Sequence, residues 1–226
     1  MKSKPAVSVI IPAYNEEERI GGTLRAVRRL GCDEVIVVDD GSRDQTAAIA
    51  GRYADQVIRL AKHRGKGAAL AEGIRYAKGE ILLFLDADLK EHARLSAPLL
   101  EPILKGEADM TIARFPAPLR KGGFGLVKGL ARSGVRLLTG KTLQATLSGQ
   151  RAVSRKVISR LTYFPSGFGI ELGLTVQALR AGFRVKEVPL PMRHRETGRD
   201  LRGFWHRGKQ FVAILHTLLR LWRQPV

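Results

Sequence analysis

Two carboxylates stand one residue apart at Asp86-Ala87-Asp88, directly after the apolar run Ile81 to Leu85. A carboxylate pair at the end of a buried strand can hold a hard divalent cation, magnesium or manganese, against a diphosphate. Such an ion neutralises a departing diphosphate. That suits a glycosyl transition state, in which the anomeric carbon gains positive charge while the leaving oxygens gain negative charge. Asp-x-Asp by itself describes many solvated loops. Its place after a fully apolar strand turns the reading toward a site.

Other residues have chemistry to offer. Asp39-Asp40-Gly41-Ser42 follows the apolar run Val35 to Val38. These residues make good turns, and Asp44 is placed to cap a following helix. A carboxylate there can also accept the imide hydrogen of a uracil ring while Tyr14 stacks on the ring. Arg64-Gly65-Lys66-Gly67 lacks the spacing of a nucleoside-triphosphate P-loop. A lysine at a glycine-flanked helix start still meets a phosphate as a point charge, and a solvated basic turn is the plainer alternative. His194, in Met192-Arg193-His194-Arg195, follows a strand and a Pro-x-Pro turn, from which a neutral imidazole can reach a metal. His63, His92, His206 and His216 read as surface residues.

The elements that must position these residues show in the apolar periodicity. Val7 to Ile11 reads as a strand ended by Pro12, and Leu24, Val27 and Leu30 have helical spacing. Val35 to Val38, Val57 to Leu60 and Ile81 to Leu85 read as strands, with helices over Asp44 to Tyr53 and Gly67 to Ala77 between them. Alternating strands and helices argue for an α/β fold, a parallel sheet with helices on both faces and ligands beyond the carboxyl ends of its strands. The polar clusters Tyr14 to Glu17, Asp39 to Ser42 and Asp86 to Asp88 all fall at such ends, so three segments converge on one crevice. The second half is less regular. It reads as a Pro- and Gly-rich loop from Phe115 to Gly125, a helix from Leu126 to Leu138, a turn from Phe164 to Gly169, a helix from Glu171 to Ala181 and a strand from Val185 to Val188. An amphipathic helix runs from Phe204 to Trp222.

The 226 residues suit one α/β domain, with 44% hydrophobic and 27% charged residues as in a globular protein. The formal net charge of +18 creates a field that attracts anions: phosphorylated substrate, anionic lipid or nucleic acid. Nucleic acid is the weakest of the three, since aromatics are only 6% of residues and no basic stripe is interleaved with them. The single cysteine, Cys32, excludes an intrachain disulfide framework and points to a reducing compartment, the cytoplasm by default. No signal-peptide core follows the first lysines, and no apolar run is long enough to span a bilayer.

Three segments together, Val7-Ser8-Val9-Ile10-Ile11-Pro12-Ala13-Tyr14-Asn15-Glu16-Glu17, Val37-Val38-Asp39-Asp40-Gly41-Ser42 and Leu85-Asp86-Ala87-Asp88, resemble a GT-A fold glycosyltransferase of the large family 2 type. Leu147-Ser148-Gly149-Gln150-Arg151-Ala152, Gly167-Phe168-Gly169-Ile170-Glu171-Leu172-Gly173-Leu174 and Arg193-His194-Arg195 are similar to glucosyl-3-phosphoglycerate synthases, and polyprenyl-phosphate sugar transferases share much of this. The resemblance implies a Rossmann-like, mixed but mostly parallel sheet flanked by helices. It implies a nucleotide-sugar site drawn from Pro12, Ala13, Tyr14, Glu16, Asp40, Lys66, Asp86, Ala87 and Gly149. By the same likeness Asp40 contacts uracil, Lys66 faces a phosphate, and Asp86, Asp88 and His194 hold the metal. Glu171 lies near the sugar hydroxyls and, with Asp88, is the implied catalytic residue; in an inverting relative an acid near Glu171 serves as general base. Such synthases hold phosphoglycerate with an Arg and a Thr where this sequence has Gly122-Gly123-Phe124-Gly125-Leu126-Val127. Only the donor half therefore carries over.

The expected activity is metal-dependent transfer of a hexose, glucose foremost, from a UDP-sugar to an anionic acceptor such as 3-phosphoglycerate. The alternative acceptor is a polyprenyl phosphate, reached by peripheral contact at the inner face of a membrane through the amphipathic tail; packing of that tail on the core or on a second subunit is the competing expectation. A nucleotide-sugar-binding module without turnover is the alternative of another class, and Asp86, Asp88 and Glu171 argue against it. The expected organisation is one domain over 1–226: a nucleotide-sugar half (1–112), an acceptor half (113–203) and a C-terminal helix (204–226).

Overall fold

β-branched runs without helix caps make strands, and four of them open the chain: Val7–Ala13 (β1), Glu34–Asp39 (β2), Gln56–Arg59 (β3) and Ile81–Phe84 (β4). Between them lie the helices Glu17–Arg28 (α1), Thr46–Ala50 (α2) and Lys66–Tyr76 (α3). A computed structural model describes residues 5–116, 125–165, 167–192 and 201–223. A 3-10 helix over Lys90–Leu99 follows, then Glu101–Leu104 (α4), Met110–Arg114 (β5), Leu126–Thr139 (α5), Arg151–Ser154 (β6) and Arg155–Ile158 (α6). The chain continues through a 3-10 turn at Gly167–Gly169 into Ile170–Arg180 (α7), Val185–Pro189 (β7) and Leu201–Arg223 (α8).

The strands form one seven-stranded sheet in the order β3-β2-β1-β4-β6-β5-β7. All pairs are parallel except those of β6, which runs antiparallel to both β4 and β5. The sheet is thus mixed and mostly parallel, as expected. Helices cover both faces, so β1 and β2 send apolar side chains to both sides of the sheet, with Ser8 of β1 and Glu34 and Asp39 of β2 as the polar exceptions. Val9 and Ile11 of β1 and Val35 and Val37 of β2 enter the core that takes in Ile20 and Leu24 of α1. Ile10, Ile36 and Val38 point the other way, to the core that includes Leu70, Leu172 and Ile214.

Four elements depart from the expected ones. The helix expected over Asp44 to Tyr53 is only five residues long, Thr46–Ala50. Strands β5 and β6 were not foreseen; their sequences, Met-Thr-Ile-Ala-Arg and Arg-Ala-Val-Ser, lack a clean apolar period. Strand β7 runs one residue past the expected Val188 and takes in Pro189, which an outermost strand tolerates because no further strand needs its missing N–H. Of the loop expected from Phe115 to Gly125, 117–124 fall outside the described residues.

Helix α8 packs its inner face, with Ile214, Thr217 and Leu221 buried, on α5, α7 and the Gly167–Gly169 turn. Gly134 of α5 leaves the space that Leu218 fills. Among the described residues no helix is long and apolar enough to cross a membrane.

Candidate active site

Parallel strands β1, β2 and β4 all end at one edge of the sheet, and the reversed strand β6 begins there. Loops from both halves of the chain therefore meet at that edge.

The loops after β1 and β2 are tied by reciprocal side-chain to backbone bonds. The Asn15 N–H donates to Ser42 Oγ (2.9 Å), while the Arg43 N–H donates to Asn15 Oδ1 (3.0 Å). The Glu16 N–H donates to Thr46 Oγ1 (2.7 Å) and the Gln45 N–H to Glu17 Oε2 (2.9 Å). Asn15 has φ 53°, a left-handed conformation that asparagine tolerates better than most residues. Asp44 accepts from the N–H of Thr46 (3.0 Å) and of Glu17 (3.2 Å), so it serves the starts of α2 and α1 together.

Asp40 is buried and anchors the turn before α3. Its oxygens accept the N–H of Arg64 (2.8 Å) and of Gly65 (2.7 Å), and His63 Nδ1 lies 2.8 Å from it. The His63 ring stacks on Tyr14 at 4.0 Å between centroids. His63 is exposed as expected, yet it joins two predicted site residues, a role the sequence reading did not assign it. Gly41, at φ +76°, has no room for a Cβ, which would lie 2.8 Å from the backbone of Lys62 and His63. Neighbouring Asp39 is buried and accepts the Ser42 N–H (3.2 Å) at Oδ1. Its Oδ2 makes no hydrogen bond among the described residues, with Arg59 Nε 3.4 Å away.

At the centre Lys66, first residue of α3, reaches Asp86 Oδ1 at 2.6 Å and Glu171 Oε1 at 2.9 Å. Burial pulls its ammonium toward the neutral form, but Asp86 and Glu171 outweigh that and hold it above the ordinary lysine range. The second oxygen of Asp86 accepts from Gln150 Nε2 (2.6 Å). Gly149 closes the group: a Cβ there would collide with Lys66 Nζ and stand 3.0 Å from both Asp86 oxygens. Behind it Arg151 is fully buried, donating from Nε to the Ser148 carbonyl (3.2 Å) and from Nη1 to the Glu171 carbonyl (3.0 Å). Burial lowers this guanidinium to about 10 against the pull of Glu171 and Asp86, so it stays charged at neutral pH. Gln150 and Arg151 stood in the sequence motif without a role; the structure makes them the support of Asp86 and Glu171.

Ala87, also buried, has its carbonyl bonded by Thr23 Oγ1 (2.7 Å), and the Lys90 N–H donates to the same hydroxyl (2.8 Å), which pins the Asp86 to Asp88 turn on α1. Glu16 lies close enough to Asp88 to feel its charge. Burial raises the Glu16 carboxyl above the usual carboxylate range, Arg19 at 2.7 Å opposes the rise, and Asp88 adds to it. Pro12 and Ala13 are backbone neighbours of β2, and the Ala13 carbonyl accepts the Asp40 N–H (2.8 Å). His194 lies outside the described residues, and among those described no three His, Cys, Asp or Glu side chains cluster closely enough to hold a metal ion.

The glycosyl transferase family 2 profile matches residues 8–159. A glucosyl-3-phosphoglycerate synthase of Mycobacterium tuberculosis is 31% identical over 242 residues, covering 95% of this chain and 74% of that protein. The glycosyltransferase AglJ of Haloferax volcanii is 30% identical, over 88% of this chain and 67% of the relative. The solved structure of the M. tuberculosis synthase with Mn2+, uridine diphosphate and phosphoglyceric acid superposes with a TM-score of 0.83 at 28% identity, covering all of this chain and 81% of that one. With the strand-end clusters in place and the match extending from β1 beyond β6, the chain belongs to glycosyl transferase family 2 and is a glycosyltransferase of GT-A-like fold.

Proposed function

We propose that the protein transfers glucose from UDP-glucose to a small phosphorylated acceptor of the phosphoglycerate class, with magnesium or manganese at Asp86 and Asp88. The observation that carries the reading is Lys66 held between Asp86 and Glu171, which joins a phosphate-seeking cation, a metal-type carboxylate and an acid in one cluster. The M. tuberculosis relative, with its Mn2+, uridine diphosphate and phosphoglyceric acid, supports the choice of partners.

The donor set fits a hard cation. Asp86 and Asp88 offer only oxygen, as a hard cation prefers, and Gly149 keeps a side chain out of the space beside Asp86. His194 is proposed as the third protein ligand. The bound ion supplies Lewis-acid neutralisation of the leaving diphosphate. Lys66 then turns from its carboxylates toward phosphate, while Gln150 keeps Asp86 oriented. Tyr14 and Asp40 receive the uracil, Asp40 through the capacity left beside the Arg64 and Gly65 N–H groups and His63 Nδ1. Glu171, at the first turn of α7, binds the sugar hydroxyls.

The test measures UDP released from a panel of nucleotide sugars with magnesium or manganese, with and without phosphoglycerate or polyprenyl phosphate. Metal-dependent release from UDP-glucose, stimulated by phosphoglycerate, is expected. Asp88→Asn should lower it on the order of 100-fold; full metal-dependent turnover in that variant would sink the assignment. His194→Ala should weaken the metal dependence.

A further inference from the structure

The positive charge is not spread evenly along the chain. The 56 residues from Phe115 to Ile170 include ten Lys or Arg and no Asp or Glu, and 201–226 include five and none. These stretches supply fifteen of the eighteen net positive charges, and they also supply α5 and α8. The two helices pack together where Leu218 enters the gap at Gly134. Leu137 lies one turn beyond Gly134, and Leu215 and Trp222 lie one turn to either side of Leu218, so all three flank the line of contact. Their side chains face solvent, as do Phe211, Leu219 and Leu126; Leu137 is 70% exposed and Trp222 62%. Large apolar side chains exposed along two packed helices mark an interaction site. Exposed Arg136 on α5 and His216 and Arg223 on α8 lie on the outer sides of the two helices.

We infer that the α5–α8 face docks on the surface of an anionic lipid bilayer, with the apolar strip in the headgroup boundary and the arginines at the level of the lipid phosphates. Apolar centre, cationic flanks and no acid on either helix are the pattern of a helix lying in that interface. A second copy is the poorer occupant, because a self-complementary contact would set two acid-free cationic faces against each other. A nucleic acid would bring its phosphates onto leucines. Docking would also bear on the site: Thr217 of α8 lies against Gly169, in the turn that leads into the helix of Glu171. The inference is independent of which sugar or acceptor is used.

Flotation of the full chain with vesicles of phosphatidylcholine plus phosphatidylglycerol, or of phosphatidylcholine alone, tests it. Binding to the anionic vesicles only, released by salt, is expected. Arg136→Gln and Arg223→Gln should each weaken partition about fivefold, and Leu219→Gln with Trp222→Gln should abolish it, while circular dichroism and UDP release without vesicles stay as in the parent. Absence of binding to the anionic vesicles overturns the inference. So does a dimer in light scattering that the Leu219 and Trp222 variant dissolves, or binding to duplex DNA without binding to vesicles.

Discussion

Gly149 holds open the space in which Lys66 meets Asp86, because any Cβ there would fall on the ammonium. Its backbone is not left-handed, so Gly149→Ala should leave the fold standing while parting that ion pair. Misplacement of about an ångström at a reacting centre costs roughly 100-fold in rate. UDP release should drop by that factor with the melting temperature little changed; parental turnover would show that Lys66 and Asp86 need not touch. Arg151 offers a test of stability instead. Arg151→Met leaves the buried Ser148 carbonyl without its donor, while the Glu171 carbonyl keeps Thr175 Oγ1 (2.8 Å), and should cost about 1–3 kcal/mol in urea denaturation. Arg151→Lys should rescue little, since one ammonium cannot replace a forked guanidinium. Asp86, Asp88 and Lys66 are legible in the sequence because each follows an apolar strand or opens a glycine-flanked helix. Arg151 and Gln150 are not, since nothing local marks a polar residue as buried. The contact between Tyr14 and His63 depends on the fold closing two distant loops.

Asp55 connects three elements. It accepts from Arg28 at the end of α1 through Nη1 (3.1 Å) and Nη2 (2.8 Å) and from the Val35 N–H of β2 (2.7 Å), just before β3. These bonds, Arg28 foremost, hold its carboxyl below the usual range. A lowered folded value means that the stabilisation is present above the unfolded value of about 3.9 and is lost as the pH falls through the folded one. Asp55→Asn should therefore destabilise by roughly 1 kcal/mol at neutral pH, modest because the pair is part exposed, and the gap to the parent should close in acid. Urea titrations across the acid range would show it; a gap that persists at the lowest pH would assign the effect to shape rather than charge. Elements β1, β2 and β4 are legible because strands covered on both faces carry runs of consecutive apolar residues, Val9 to Ile11, Val35 to Val38 and Ile81 to Phe84. The middle strand β6 contradicts that rule, carrying Arg151, which its carbonyl partners satisfy, and Ser154. The 3-10 helix Lys90–Leu99 includes Pro98, which lacks the N–H an α-helix would use, so it gives no helical signature.

For the molecule as a whole, the size of the net charge is plain in the composition, but the basic side chains of α5 and α8 form one surface only when the two helices pack. The vesicle experiment addresses that scale, and the amphipathic tail is legible because apolar residues recur at helical spacing between basic ones. The most consequential feature at this scale is the reversed strand. Because β6 separates β4 from β5 and β7, the sheet cannot close in the order in which the chain is made. A ribosome releases Ile81–Phe84 well before Arg151–Ser154, and at about 5–20 residues per second that interval lasts roughly 4–14 s. Through it the nascent chain carries β3-β2-β1-β4 with the apolar β4 as an open edge, a template for pairing with other chains. Until the second half arrives to cover it, that edge stays open to pairing, so the interval between these two strands is one of aggregation hazard for the chain as it is made.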